Sequence, residues 1–97
     1  MPGEPLRHKH TLTNFSGLHM RPIQAFAEEA LKFHSDITVA KEGGAPVNGK
    51  SSINMLTLVA EKGTQLIVEI AGPDAADAMA ALIKVLERIS SGEFEVE

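Results

Sequence analysis

From Met20 to Phe33 the apolar residues Ile23, Phe26, Ala27, Ala30 and Leu31 fall at i, i+3, i+4, i+7 and i+8, while Gln24, Glu28, Glu29 and Lys32 lie off that stripe. Side chains so spaced share one side of a 3.6-residue turn, and the segment is predicted to be an amphipathic helix. Pro22 would break a helix interior, but in a first turn its missing N–H is no loss. It therefore sets the helix start just before it and puts His19 at or beside the N-cap. A second long helix is announced by Gly72-Pro73-Asp74, with Pro at an early position and Asp74 and Asp77 near the positive end of the helix dipole. Its apolar stripe is Ala75, Ala78, Met79, Leu82, Ile83, Leu86 and Ile89, and Ser90-Ser91-Gly92 ends it.

Alternation with a period of two marks the strands. Asp36–Lys41 sets Ile37 and Val39 on one face, and Glu42-Gly43-Gly44 turns the chain into a short run around Pro46-Val47-Asn48. Pro46 confines that run to a sheet edge. Thr64–Ala71 alternates Leu66, Val68 and Ile70 against Gln65, Ile67 and Glu69, with one face more deeply buried, and His8–Thr13 is a further strand. Ser51–Ala60 fits two periods; with Ser51 as N-cap, Ile53, Met55, Leu56 and Val59 make a short helix closed before Gly63. The order is then β-α-β-β-α-β-α, an α+β plan with helices on one face of an antiparallel sheet. A single domain over residues 1–97 is expected, its core at about residues 7–91, with Met1–Pro5 and Gly92–Glu97 as loose ends.

The chain has 97 residues, 9 Lys+Arg against 13 Asp+Glu, a net charge of −4, and no Cys, Trp or Tyr. A core at this length buries roughly 60–68% of the unfolded surface, enough for cooperative folding and too little for a second lobe or a deep cleft. Without Cys, any chemistry runs on His, carboxylates, hydroxyls or Lys. The N-terminus lacks the apolar stretch of a signal peptide, and no segment approaches the ~18 apolar residues of a membrane span, so a cytoplasmic protein is expected. The acidic balance and the four Phe as sole aromatics argue against nucleic acid, and Arg7-His8-Lys9-His10 is too short a basic run to reverse that.

One stretch, Ser16-Gly17-Leu18-His19-Met20-Arg21-Pro22, is a loop opening into the first helix. At a helix start unpaired N–H groups converge and the dipole favours negative charge, the local chemistry of an anion site. Arg21 adds a positive fork suited to phosphate oxygens, and Gly17 lets the loop take a backbone conformation closed to other residues. A neutral imidazole nitrogen is a good nucleophile, and a helix start disfavours imidazolium. Attack on a phosphoryl donor gives an energy-rich phosphohistidine, whose new charge meets the N–H groups and Arg21. A histidine in this position also reads as a plain N-cap or surface residue, and residue chemistry alone does not choose.

Gly17-Leu18-His19-Met20-Arg21-Pro22 resembles the active-site motif of the histidine-containing phosphocarrier (HPr) family of the phosphoenolpyruvate-dependent phosphotransferase system. The likeness runs over roughly Lys9 to Glu87 and takes in Phe33–Val39, Val47–Ser51, Glu61–Thr64 and Ala71–Ala78. It implies an open-faced β-sandwich of four antiparallel strands and three helices. It further implies that His19 is phosphorylated on Nδ1 by a phosphoenolpyruvate-charged Enzyme I. Arg21 would lie beside the phosphate, with Ser16, Gly17 and Met20 in the phosphate loop. The phosphoryl group would pass to EIIA-type domains in sugar uptake or its regulation. Ser51, after Lys50, matches the family's regulatory serine, the substrate of HPr kinase/phosphorylase. Phosphorylation there adds about −1.5 to −2 charge at an N-cap, a position that tolerates anions. Met20, Gln24, Ser52, Ile53 and Leu56 match a partner-docking surface. Such a protein is a transfer intermediate rather than a turnover enzyme, needs no cofactor, and is expected to be a monomer.

The chain departs from the family pattern at Met20, where a small or hydroxylated residue is usual, and at Ser52, where an apolar docking residue is. Asn54 replaces a common Gly, and one extra residue lengthens the hairpin around Gly43-Gly44-Ala45. His8 and His10 share a strand face and, with His19 or His34, have the ligand type for a metal, but without a companion acid they read as paired side chains. Ile53 and Leu56 read equally as core packing or as docking surface. Glu28-Glu29 and the tail Glu93–Glu97 read as solvated surface. Two other readings stand beside the carrier: a regulatory HPr-like protein acting by phosphorylation-dependent binding through Ser51 or His19 without sugar transport, and a small-ligand-binding α+β domain.

Overall fold

The computed structural model describes residues 4–95. Its elements are β1 (Leu6–Thr11), α1 (Met20–Ala30), β2 (Asp36–Lys41), β3 (Val47–Asn48), α2 (Ser52–Leu56), β4 (Gln65–Ala71) and α3 (Ala75–Ser90), in the order the sequence pattern predicts. The strands form one antiparallel sheet ordered β1-β4-β2-β3, and the three helices make it an open-faced β-sandwich. Both β1 and β2 pair with β4, so they run parallel with β4 between them, and α1 is the crossover that joins them. Val47–Asn48 is the edge strand, as Pro46 requires.

The alternating faces of the strands meet the helical stripes in one core. Leu66, Val68 and Ile70 of β4 and Ile37 and Val39 of β2 pack against Ile23 and Phe26 of α1 and Leu82, Leu86 and Ile89 of α3. Each such side chain contributes about 1.5–3 kcal/mol on burial. Ile67, on the opposite face, is also buried because a central strand has neighbours on both sides, Lys9 and Ala40 in register.

Several boundaries differ from the sequence reading. β1 runs over Leu6–Thr11 rather than His8–Thr13, and β4 begins at Gln65 rather than Thr64. Helix α1 ends at Ala30, where the next N–H groups turn back to Ala27, Glu29 and Ala30 carbonyls, and Leu31 is left 63% exposed. Val59 is no part of α2: the helix closes at Thr57, and Val59 is exposed with a left-handed φ of 49°. Pro73 precedes the N-cap Asp74 rather than lying inside α3.

Asp74 does not cap its own helix with its side chain. Its carboxylate accepts the backbone N–H groups of His34 and Ser35, both at 2.9 Å, and the Ser35 hydroxyl at 2.6 Å, while Ser35 Oγ accepts the Asp74 N–H at 3.2 Å. The Ser35 hydroxyl, followed by the His34 N–H, lowers the Asp74 carboxyl to about 2. The chain passes so close here that a Cβ on Gly72 would stand 2.5 Å from Ser35 Oγ.

The tail beyond α3 is not the solvated loose end that its acidity suggests. Gly92, with φ 92°, turns the chain back, its N–H bonding to the Ile89 carbonyl and that of Glu93 to the Arg88 carbonyl, a Schellman turn. Phe94 packs against the core under the Arg88 guanidinium, 5.3 Å from the ring centroid, and Arg88 Nε donates to Glu93 at 2.9 Å. Residues 1–3 and 96–97 of the two expected loose ends lie outside the described residues. Among the described residues, no helix is long and apolar enough to cross a membrane.

Candidate functional site

The loop from Thr13 to His19 is held at both ends. Gly63 N–H bonds to the Leu12 carbonyl at 2.8 Å, and Leu18 N–H bonds to the Ala60 carbonyl at 2.8 Å, with the Leu18 side chain buried in the core. Between these anchors Gly17 adopts φ +64°, and a Cβ on it would meet Ala60 O at 2.5 Å, so only glycine fits. Buried Asn14 braces the loop from inside, its Nδ2 donating to the Gly17 carbonyl at 2.8 Å.

His19 is the N-cap of α1, with extended backbone angles, and its carbonyl accepts the Ile23 N–H at 3.0 Å. Its side chain makes no capping bond. The first-turn N–H groups of Met20 and Arg21 therefore have no acceptor among the described residues, and Pro22, the third helical residue and buried, has no N–H to satisfy. The helix thus starts two residues before Pro22, and two free donors stand beside the imidazole. Such a pair, at the positive end of an eleven-residue helix, suits the oxygens of an anion.

The imidazole is partly exposed, 29% of its side-chain surface, and one nitrogen is engaged: Nε2 stands 3.3 Å from Glu95 Oε2. Among the described residues Nδ1 has no partner. Glu95 reaches the site across the chain. Its Oε1 accepts the Ser16 N–H at 2.7 Å and its Oε2 the Asn14 amide at 3.2 Å. The Ser16 N–H above all, then the Asn14 amide and the His19 ring, lower the Glu95 carboxyl from its ordinary value, against the burial that raises it.

Of the residues singled out from sequence, Ser16, Gly17, His19 and Met20 form one loop and helix start. Arg21 is adjacent in sequence but exposed, and it makes no hydrogen bond or ion pair among the described residues. Gln24 and Ser52 line one shallow pocket between α1 and α2, with Leu31 and Lys50. Ile53 is 76% exposed and Met20 and Leu56 about 40%, so Ile53 is not core; the buried residue of α2 is Met55. Ser51 is the N-cap of α2, its Oγ accepting the Asn54 N–H at 3.2 Å and the Asn54 amide at 2.8 Å. Lys50 Nζ is occupied with the Phe33 carbonyl at 2.6 Å.

His8 and His10 lie on one strand face, ring centroids 6.2 Å apart, with His10 Nε2 2.7 Å from Ser90 Oγ. Among the described residues no group of three or more His, Asp or Glu stands where it could hold a metal ion. Two residues of the site, Asn14 and Glu95, escaped the sequence reading. The signal for Glu95 was present as Gly92 followed by apolar Phe94, the pattern of a chain turned back onto its helix.

Residues 6–88 match the family model described as the PTS HPr component phosphorylation site. The phosphocarrier protein HPr of Xylella fastidiosa (strain Temecula1) is 38% identical over 82 residues, covering 84% of this chain and 91% of that protein. That of Haemophilus influenzae is 40% identical, covering 74% of this chain and 87% of that protein. Among solved structures, the histidine-containing phosphocarrier protein of Mycoplasma superposes with a TM-score of 0.83 at 29% identity, covering 88% of this chain and 96% of that one.

Proposed function

Given that the chain belongs to the HPr family and is a phosphocarrier rather than an enzyme, we propose that His19 is the residue that carries the phosphoryl group, on Nδ1. The observation that carries this reading is the N-cap of α1: a histidine whose side chain caps nothing, whose Nδ1 has no partner among the described residues, beside two unpaired N–H groups. The Nδ1 lone pair attacks phosphorus, the N–P bond forms, and the donor's bond to phosphorus breaks with its electron pair leaving on the donor. The Met20 and Arg21 N–H groups meet the phosphoryl oxygens, and the free Arg21 guanidinium folds over them. Ser16 and Gly17 set the loop that presents the ring.

The donor is Enzyme I charged from phosphoenolpyruvate and the acceptor an EIIA-type domain. Exposed Met20, Ile53 and Leu56, with Gln24 and Ser52, supply an apolar centre and a polar margin for docking. Ser51 is the site for an HPr kinase/phosphorylase, since a phosphate on its Oγ would keep accepting from the Asn54 N–H with added charge at the start of α2. Incubation with phosphoenolpyruvate and an Enzyme I should give an acid-labile, alkali-stable phosphate on the wild type and none on His19→Ala. Equal labelling of the two would overturn the assignment.

A further inference from the structure

We propose that Glu95 is a positioning residue for phosphoryl transfer: by accepting the Nε2–H of His19, it holds the ring in the tautomer that leaves the Nδ1 lone pair free to attack. This rests on the reading of His19 as phosphoacceptor. A neutral imidazole carries one proton, and whichever nitrogen holds it cannot be the nucleophile. An ionised carboxylate only accepts, so a carboxylate oxygen 3.3 Å from Nε2 selects the proton at Nε2.

The contact is built rather than incidental. Glu95 is anchored by donors on both of its oxygens, the Ser16 N–H on one and the Asn14 amide on the other, and Asn14 is itself buried and fixed on the Gly17 carbonyl. These donors also keep the carboxylate ionised. The Schellman turn and Phe94 deliver Glu95 to the loop. Glu95 lies beyond residue 88, where the family match ends, and so stands outside the matched segment. During transfer the Nδ1–P bond forms as the donor–P bond breaks, and the Nε2 proton stays between the ring and Glu95. The positive charge that develops on the ring is thereby met by the carboxylate, the role an orienting acid plays behind a histidine.

The test compares the full-length wild type with Glu95→Ala and Glu95→Gln, reading the His19 ring nitrogens by long-range proton–nitrogen NMR on the neutral ring, and the rate of labelling from phosphoenolpyruvate and Enzyme I. In Glu95→Gln the Ser16 N–H claims the carbonyl and turns the amide N–H groups toward Nε2, which favours the wrong tautomer. The wild type should show the Nε2–H form, Glu95→Ala a mixture, and Glu95→Gln a shift toward Nδ1–H. Labelling should slow in that order, by about tenfold for Gln. A merely structural glutamate would give the opposite ranking, with Gln milder than Ala. Unchanged nitrogen shifts and rates, or faster labelling in the variants as expected of a carboxylate that competes with the phosphoryl group, would overturn the proposal while His19 labelling stands. Labelling that survives His19→Ala would overturn the site reading, and the role of Glu95 with it.

Discussion

Asp74 and Glu95 are both carboxylates that reach across the chain to accept loop N–H groups, and each stands beside the N-terminus of a long helix. At Asp74 the side chains are fully engaged: two N–H groups and a hydroxyl on the carboxylate, the Asp74 N–H on Ser35 Oγ, and Ser35 wholly buried. At Glu95 the same geometry is left open on one side, with His19 Nδ1 unpaired among the described residues and the ring partly in solvent. A saturated network fixes the fold, while an unsaturated one at the surface is available to a ligand.

The glycines on which the two regions turn give the sharpest way to break this comparison. Gly72→Ala would press a Cβ against Ser35 at φ +150°, and we expect a loss of about 4 kcal/mol in denaturant unfolding, a large share of the stability of a small domain. Labelling of the molecules that remain folded should be unchanged. Gly17→Ala, with its Cβ 2.5 Å from Ala60 O, should cost less, about 3 kcal/mol, because the loop is exposed on one side and can give. Its folded molecules should nevertheless label more slowly, by at least about tenfold, since the displaced loop carries His19. Equal labelling losses in the two variants would erase the distinction between lock and site.

Acid should break the same comparison more gently. The Asp74 carboxyl is lowered from 3.8 to about 2 in the folded chain, so the fold favours its ionised form. That contribution is complete above the unfolded value near 3.8 and is lost as pH falls toward about 2. Asp74→Asn should be less stable at neutral pH and should lose less on acidification through this window, as measured by urea midpoints at a series of pH values. Parallel curves for variant and wild type would show that the lock does not depend on the charge.

The parts of the molecule legible in the sequence are those fixed by local periodicity. Ile23, Phe26, Ala27 and Ala30 are buried as their spacing predicts, and Ser51 caps α2 through the side chain that its type suggests. Leu31 and Val59 fit the same spacings but fall after their helices have ended, where periodicity no longer sets direction. Arg21 lies two residues from His19, a spacing at which side chains do not face each other on a helix, so its place beside a phosphate rests on its charge and reach and not on periodicity. Glu95 joins His19 across 76 residues, through a turn and one aromatic ring, and no repeat along the chain encodes such a meeting. The acidic composition of the tail pointed instead to solvent, because charge counts describe what a residue carries and not which donors are waiting for it.

The smallest expected effect tests the strut beneath the open region. His10 on β1 holds Ser90 in the last turn of α3, just before the chain turns toward Glu95. Burial first, and then the neighbouring His8, lower the His10 value below 6.5, against a pull upward from Glu87. The unfolded chain therefore takes up this proton before the folded one does as pH falls. Stability that is complete above about 6.5 should decline as pH drops through that value, and level off once folded His10 also protonates. His10→Gln keeps a polar partner for Ser90 and removes the titrating group, so its stability should stay flatter across that interval. If His10→Gln shows the same decline as the wild type, the slope belongs to another group. If the His19 ring nitrogens also shift in His10→Gln, the strut and the site are one unit, and the boundary drawn between fixed and open regions must move to include β1.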